Sequence, residues 1–234
     1  MRAQDVKVAL AKKANPQKVS ILQRFFKTAK GEYGEGDRFL GVVVPEQRKI
    51  AKQFRTLSFA DVVSLLKSPM HEHRMTALLI WCDQFLHGDE AMQGKIYTAY
   101  LKLREFINNW DLVDVTCPII VGRYMFQHRN QRKRLYALAS AKSVWDRRIA
   151  ILVTYYFIRQ GDYKDTIRLS KKLIADKQDL IHKAVGWMLR EAGNRDVRVL
   201  RSFLSRYAKA MPRTMLRYAI EKLPLAERTK WMYV

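Results

Sequence analysis

Cysteine, glycine, proline and acid are all scarce in this chain, and each shortage closes off a class of protein. Two cysteines in 234 residues cannot supply the disulfide framework of a small secreted domain. Both, Cys82 and Cys117, sit inside apolar stretches, LLIWCDQFL and VTCPIIVG, where a buried reduced thiol is the expected state. An intracellular, cytoplasmic location follows. The longest apolar run, Ile149 to Ile158, is about half the ~20 residues a membrane span requires, so it reads as a buried helix. The first residues, MRAQDVKVALAKKANPQ, contain no apolar core of signal-peptide length, and no secretion is expected.

The shortage of acid is the most consequential. Twenty-two Asp and Glu face 44 Lys and Arg, leaving a formal charge of +22 and a pI near 10.2. Chains of this kind neutralise phosphates, and nucleic acid is the default partner. A membrane-surface protein would concentrate its charge in a polybasic tail or an amphipathic anchor. Here Lys and Arg are spread from Arg2 to Lys230. With 48% hydrophobic residues the chain can bury a substantial core, read as one domain over 1–234.

What is present is helix signal, almost without interruption. Apolar residues recur with helical spacing through 4–14, 17–28, 45–54, 59–66, 71–86, 90–106, 110–126 and 129–140. The pattern continues through 144–159, 163–175, 178–191, 196–209, 213–222 and 225–232. Turn chemistry falls between them at Asn15-Pro16, Ser68-Pro69, Gly88-Asp89, Gly161-Asp162, Gly193-Asn194 and Met211-Pro212. The helices also repeat. Ala77, Ala150, Ala184 and Ala219 occupy equivalent places in RMTAL, RIAIL, HKAVG and RYAIE. The first interval is close to twice the later two, and Val113 in WDLVDVT lies near its midpoint. A period of roughly 35 residues with two helices per unit predicts a helical solenoid, closer to the HEAT class than to tetratricopeptides because the WxxLGxxY signature is missing. The expected fold is all-α: a right-handed α-solenoid of about six to seven HEAT-like helix pairs with a concave basic groove able to hold a duplex.

Within NNWDLVD, Trp110 and Asp114 are four residues apart and share one face of a helix. One surface then offers an aromatic face and an anionic oxygen. A carboxylate between Val113 and Val115 is unexpected without a partner or a task.

The segments FLGVVVPEQRKIAK, NNWDLVD, VWDRRIAI, IHKAVGWMLREAG and MPRTMLRYAIEK together resemble the bacterial DNA alkylation repair family of HEAT-like DNA glycosylases. They run from Phe39 to Lys222 and cover most of the chain. The resemblance implies hydrolytic release of purines alkylated at the 3- or 7-nitrogen from double-stranded DNA, by a monomer with neither metal nor organic cofactor. Its functional set of two tryptophans, an aspartate and an arginine falls on Trp110, Asp114, Arg148 and Trp187. A purine made cationic by alkylation already leaves easily, so no strong general acid is needed. A carboxylate beside the sugar would stabilise the oxocarbenium-like state and position water, the role expected of Asp114. Trp110 and Trp187 would attract the cationic nucleotide, at about 0.5–2 kcal/mol each. Arg148 would fork onto a flanking phosphate. The alternative from another class is a non-catalytic binder of branched or damaged DNA on the same fold, and a protein-binding solenoid is disfavoured by the charge.

Other residues carry plainer readings. Trp81 and Trp145 are expected in the core and Trp231 in terminal packing. Asp111, in the first turn of its helix, is read as serving the macrodipole and facing away from Trp110. Arg147 and Arg148 point in different directions, and motif register selects Arg148. GEYGEGD, 31–37, follows a helix and lacks the Gly-Lys-Ser/Thr ending of a phosphate loop, so it reads as a flexible connection. His71 and His73, two residues apart, have no array of further ligands to complete a metal set. His182 is expected to line the groove near Trp187.

Overall fold

Two helix breaks in this protein fall where a backbone donor is missing or a backbone acceptor is taken by a side chain. The computed structural model describes residues 1–233; among them no strand forms, and the helices group into two compact units, Met1–Thr116 and Cys117–Val234.

In the first unit, α1 (Ala3–Ala11), α2 (Pro16–Phe25), α3 (Val44–Gln53), α4 (Phe59–Leu66), α5 (His71–His87), α6 (Glu90–Lys102) and α7 (Trp110–Cys117) follow one another. Several starts are capped as their sequences predict. The Asn15 side chain accepts from Gln17 N–H ahead of Pro16, Ser58 from Asp61 N–H, and Asp89 from Met92 N–H. Helix α5 is the centre of this unit and packs against α3, α4 and α6. Every residue from His71 to Cys82 is buried, so the helix is enclosed on all sides. Each large side chain it buries, Trp81 and Phe85 among them, contributes about 1.5–3 kcal/mol. The Thr76 hydroxyl and the Trp81 indole N–H in this run are buried without a partner among the described residues, but its charged residues find theirs, and those of His71 and Arg74 define the neighbourhood of α7. Glu72, 1% exposed, accepts the backbone N–H groups of Leu40, Gly41 and Val42 at 2.8–3.2 Å. That loop is held so tightly that Gly41, at φ +84°, lies where a Cβ would meet the Asn15 carbonyl at 2.1 Å.

The second unit contains α8 (Arg123–Gln127), α9 (Lys133–Leu138), α10 (Val144–Leu152), α11 (Thr154–Arg159), α12 (Lys164–Leu173), α13 (Asp179–Arg195), α14 (Val197–Tyr207), α15 (Arg213–Ile220) and α16 (Leu225–Met232). Here α13 is central and touches α10, α11, α12, α14 and α15. Gly186 lets α13 and α15 approach closely: a Cβ there would lie 2.5 Å from the Met215 carbonyl. The repeating small residues Ala77, Ala150, Ala184 and Ala219, together with Val113, are all buried at 0–1% exposure, on α5, α10, α13, α15 and α7. The periodicity in the sequence therefore marks one buried helix per unit of repeat.

Several expected helices differ from what forms: 90–106, 129–140 and 196–209 each end or begin in a 3-10 turn, and three further differences have a local cause. The stretch 110–126 is interrupted by a π-turn at Pro118–Gly122, because Pro118 has no N–H to continue the α-ladder. The stretch 144–159 breaks at Val153, where the Thr154 hydroxyl donates to the Ile151 carbonyl at 2.7 Å and competes with the backbone bond. Conversely, Gly193-Asn194 is not a turn: α13 continues to Arg195. Gly193 serves packing there, with the Leu200 side chain 2.6 Å from where its Cβ would stand.

Candidate active site

Helix α7 is anchored at its first turn by a buried chain of charges. Asn109 leads in, its Oδ1 accepting the Trp110 N–H at 2.8 Å and its Nδ2 donating to Asp37 Oδ2 at 3.1 Å. Asp111 Oδ1 accepts the Leu112 N–H at 2.8 Å, and Asp111 Oδ2 lies 2.8 Å from His71 Nε2. On its other edge His71 Nδ1 lies 3.0 Å from Asp37 Oδ2, and Asp37 Oδ1 is met by Arg74 Nη2 at 2.5 Å. All four charged residues are 2–6% exposed. Burial works against a charged imidazole, but the hydrogen bonds and charges of Asp111 and Asp37 outweigh it and raise the His71 pKa to about 9. Burial likewise works against the Asp37 carboxylate, yet His71 and Arg74 hold its pKa below the ordinary value. His71 is thus an imidazolium at neutral pH. Both ring nitrogens donate to carboxylates, leaving no lone pair for a metal.

This extends the reading of Asp111. It stands in the first turn of α7 as expected and accepts an N–H there, but it is also buried and forms one end of the Asp111–His71–Asp37 bridge. GEYGEGD is likewise more than a flexible connection, since its last residue, Asp37, is the other end.

The same neighbourhood fixes Trp110. Its indole stacks on Phe26 at a centroid distance of 5.3 Å and 26°, and meets Phe25 edge-on at 5.6 Å and 73°. Phe26 in turn stacks on Phe39 at 5.2 Å, and the His71 ring lies 4.7 Å from Phe39 and 5.0 Å from Phe26. One aromatic column therefore joins the charge bridge to the tryptophan, and edge-to-face and offset contacts of this kind resist rotation of the ring. Trp110 is half-buried, as is Asp114 one turn along the same face of α7. Between them Leu112 and Val113 are fully buried, which fixes the rotation of the helix about its axis.

In the second unit Arg148 and Trp187 stand on α10 and α13, which pack together. Arg148 is only 5% exposed, and its Nη1 donates to the Leu180 carbonyl at 2.5 Å. It ties α10 to the first turn of α13. Arg147 faces elsewhere, as expected, and pairs with Asp176 at 2.6 Å. Trp187 is half-buried, tilted against Tyr155 at 5.8 Å, with Nε1–H donating to Glu191 Oε1 at 3.0 Å. His182 Nε2 donates to the Asp176 carbonyl at 2.5 Å, so its role is to hold the turn before α13. The structure brings Trp110 beside Asp114 in the first unit and Arg148 beside the helix of Trp187 in the second. Trp81 and Trp145 are core residues and Trp231 donates to Glu227 within α16. Among the described residues no group of His, Cys, Asp and Glu has the arrangement of a metal site, and no helix is long and apolar enough to cross a membrane.

The helices and the strong positive charge define a basic, all-α protein. The sequence model of the family described as "DNA alkylation repair enzyme" matches residues 6–223, and the chain belongs to that family. No curated protein matches. Among solved structures, a predicted DNA alkylation repair enzyme from Enterococcus faecalis superimposes with a TM-score of 0.71 at 15% identity, covering 91% of this chain and 98% of that one. The likeness shows the fold, an all-α arrangement of the α-solenoid class.

Proposed function

We propose that this member of the DNA alkylation repair family is a DNA glycosylase that hydrolyses the N-glycosidic bond of cationic 3- or 7-alkylpurines in duplex DNA. The single observation that carries the reading is the Trp110–Asp114 face of α7, held in place from behind by Phe26 and by the Asp111–His71–Asp37 bridge. A carboxylate fixed in this way costs little reorganisation when positive charge appears next to it, which is the condition for electrostatic catalysis. In the reaction the bond between C1′ and the purine nitrogen breaks and the base leaves with the bonding electrons, discharging its own positive charge. Asp114 stabilises the oxocarbenium-like sugar and orients a water. The water oxygen bonds to C1′, and its proton is released as an abasic site forms.

In this proposal Trp110 offers its uncovered face to the cationic nucleotide, and Trp187 does the same from α13. Arg148 contacts a flanking phosphate while it braces α13 through Leu180. The remaining parts of the reading are a HEAT-like repeat domain over 1–234, a concave basic groove, a monomeric state, a cytoplasmic location on the bacterial nucleoid, and no cofactor. The test is incubation of the protein with duplex DNA containing 7-methylguanine and chromatography of the released base. Free 7-methylguanine with an abasic strand supports the glycosylase. Tight binding to damaged or branched DNA without release would favour a non-catalytic binder.

A further inference from the structure

A band of basic side chains in the second unit lies outside everything described above. It borders two adjoining clefts of about 960 and 520 Å³ formed by α9, α12, α14 and the turn before α12. Arg129, Lys133, Lys164 and Arg168 edge the first cleft; Lys164 and Arg168 continue into the second, where Arg206 joins them. No lining residue comes from α10 or α13, the helices of Arg148 and Trp187. The band is therefore a separate surface of that unit.

Its charge is arranged to remain uncompensated. The first cleft contains two acids, Asp162 and Asp165, and both are paired at close range with one internal arginine, while Arg129 adds a longer-range attraction to Asp162 and Arg168 meets the Tyr136 hydroxyl. Arg132 Nη1 lies 2.6 Å from Asp162 and 3.2 Å from Asp165, and the Tyr136 hydroxyl donates to Asp165 at 2.6 Å. The Arg132 guanidinium is pinned over Phe157 at 4.2 Å and is 13% exposed. Arg129, Lys133, Lys164, Arg168 and Arg206 are exposed, and among the described residues none has a carboxylate within ion-pair distance. Arg198, which also lines the second cleft, is paired with Asp196 at 2.9 Å, as Arg147, Arg190 and Arg201 are with acids elsewhere in the unit.

We infer that this band is a second anion-binding surface whose ligand is the phosphodiester backbone of a further duplex DNA segment. The cleft walls are aromatic and aliphatic, with Phe126, Tyr136, Tyr163, Ile167 and Phe203 among them, but none of the large exposed hydrophobic residues of the chain lies on the band, and its charge stands on the exposed rim. Exposed guanidinium and ammonium groups around open clefts suit sequence-independent contact with phosphates. A protein with two such surfaces can hold one duplex while it captures another, which allows transfer between segments during a search. The inference goes beyond the glycosylase proposal and does not depend on base release.

The test compares the full chain with the triple variant Lys133→Ala, Lys164→Ala and Arg168→Ala, all surface positions, with melting curves to confirm folding. Bead-tethered undamaged duplex is incubated with protein and a second, dye-labelled duplex, and capture of the dye is measured against salt; base release from 7-methylguanine DNA is followed in the same preparations. The wild type captures the second duplex. The triple variant loses that capture about tenfold or more and its log-log salt slope falls by about 2.7, at about 0.9 per lost contact, while binding of a single duplex and base release persist. Absence of capture by the wild type, equal capture by the variant as through dimerisation, or displacement by poly-glutamate of a ligand that duplex cannot displace would each overturn the inference. Capture without any base release would sustain it and remove the glycosylase proposal instead.

Discussion

Asp111 Oδ2 and His71 Nε2 lie 2.8 Å apart inside the first unit, forty positions apart in sequence, and this bond sets where the first turn of α7 stands. The aspartate next to Trp110 is thus a structural anchor, while Asp114, three residues further on, is half-buried. Two carboxylates on a single helix turn have been given different environments.

Removing the anchor should be costly. Asp111→Ala strands an imidazolium beside one remaining carboxylate, and loss of one partner of a buried pair costs about 3–5 kcal/mol. Asp111→Asn keeps a hydrogen-bond acceptor and should cost less. Chemical denaturation of both variants at neutral pH measures the difference; an unchanged midpoint for Asp111→Ala would show that the bridge contributes nothing.

The same bridge makes stability depend on alkaline pH. The His71 pKa is about 9 in the folded chain against an ordinary 6.5, so the folded state binds this proton more tightly than the unfolded state. The stabilisation is fully present below pH 6.5 and is lost as pH rises through 9, in all about 3 kcal/mol at 1.4 kcal/mol per pKa unit. Unfolding free energies at pH 6, 8 and 10 should fall in that order, and His71→Gln should flatten the dependence.

Close helix approach gives another quantity. In Gly186→Ala the new methyl would stand 2.5 Å from both the Met215 carbonyl and Tyr218 Cβ, forcing α13 and α15 apart at a typical cost of about 1–3 kcal/mol. A melting temperature equal to wild type would mean that the two helices can separate freely.

Burial of the thiols is directly measurable. Cys82 and Cys117 are both buried, and burial pushes the Cys82 pKa up to about 12, so little thiolate exists at neutral pH. A thiol-reactive chromophore should label neither in the native protein and both after denaturation.

How far the sequence revealed this protein depends on the range of the interactions. The helices were legible because their signals are local: Asn15, Ser58 and Asp89 cap as their types predict, and the repeating alanines mark buried faces. Breaks at Val153 and Pro118 came from single side chains overriding a continuous apolar pattern. Trp110 and Asp114 were legible as a pair because one helix turn separates them. The Asp37–His71–Asp111 bridge was not, since it joins residues 34 and 40 positions apart and each has an ordinary local explanation. The only hint was polar HEHR leading into the apolar run ALLIW, where buried charge must find distant partners. Arg148 was legible as a residue of the motif, but its burial and its bond to Leu180 follow from helix packing that no local pattern encodes.

Single-turnover base release by Asp114→Asn on 7-methylguanine duplex, with its melting curve, tests the proposed chemistry most directly. The substitution keeps size and removes charge. Release should slow by about 10² or more, the scale of losing one preorganised electrostatic contact, while melting and DNA affinity stay close to wild type. Full activity in Asp114→Asn, or a loss no larger than its unfolded fraction, would contradict the assignment of Asp114 as the catalytic carboxylate.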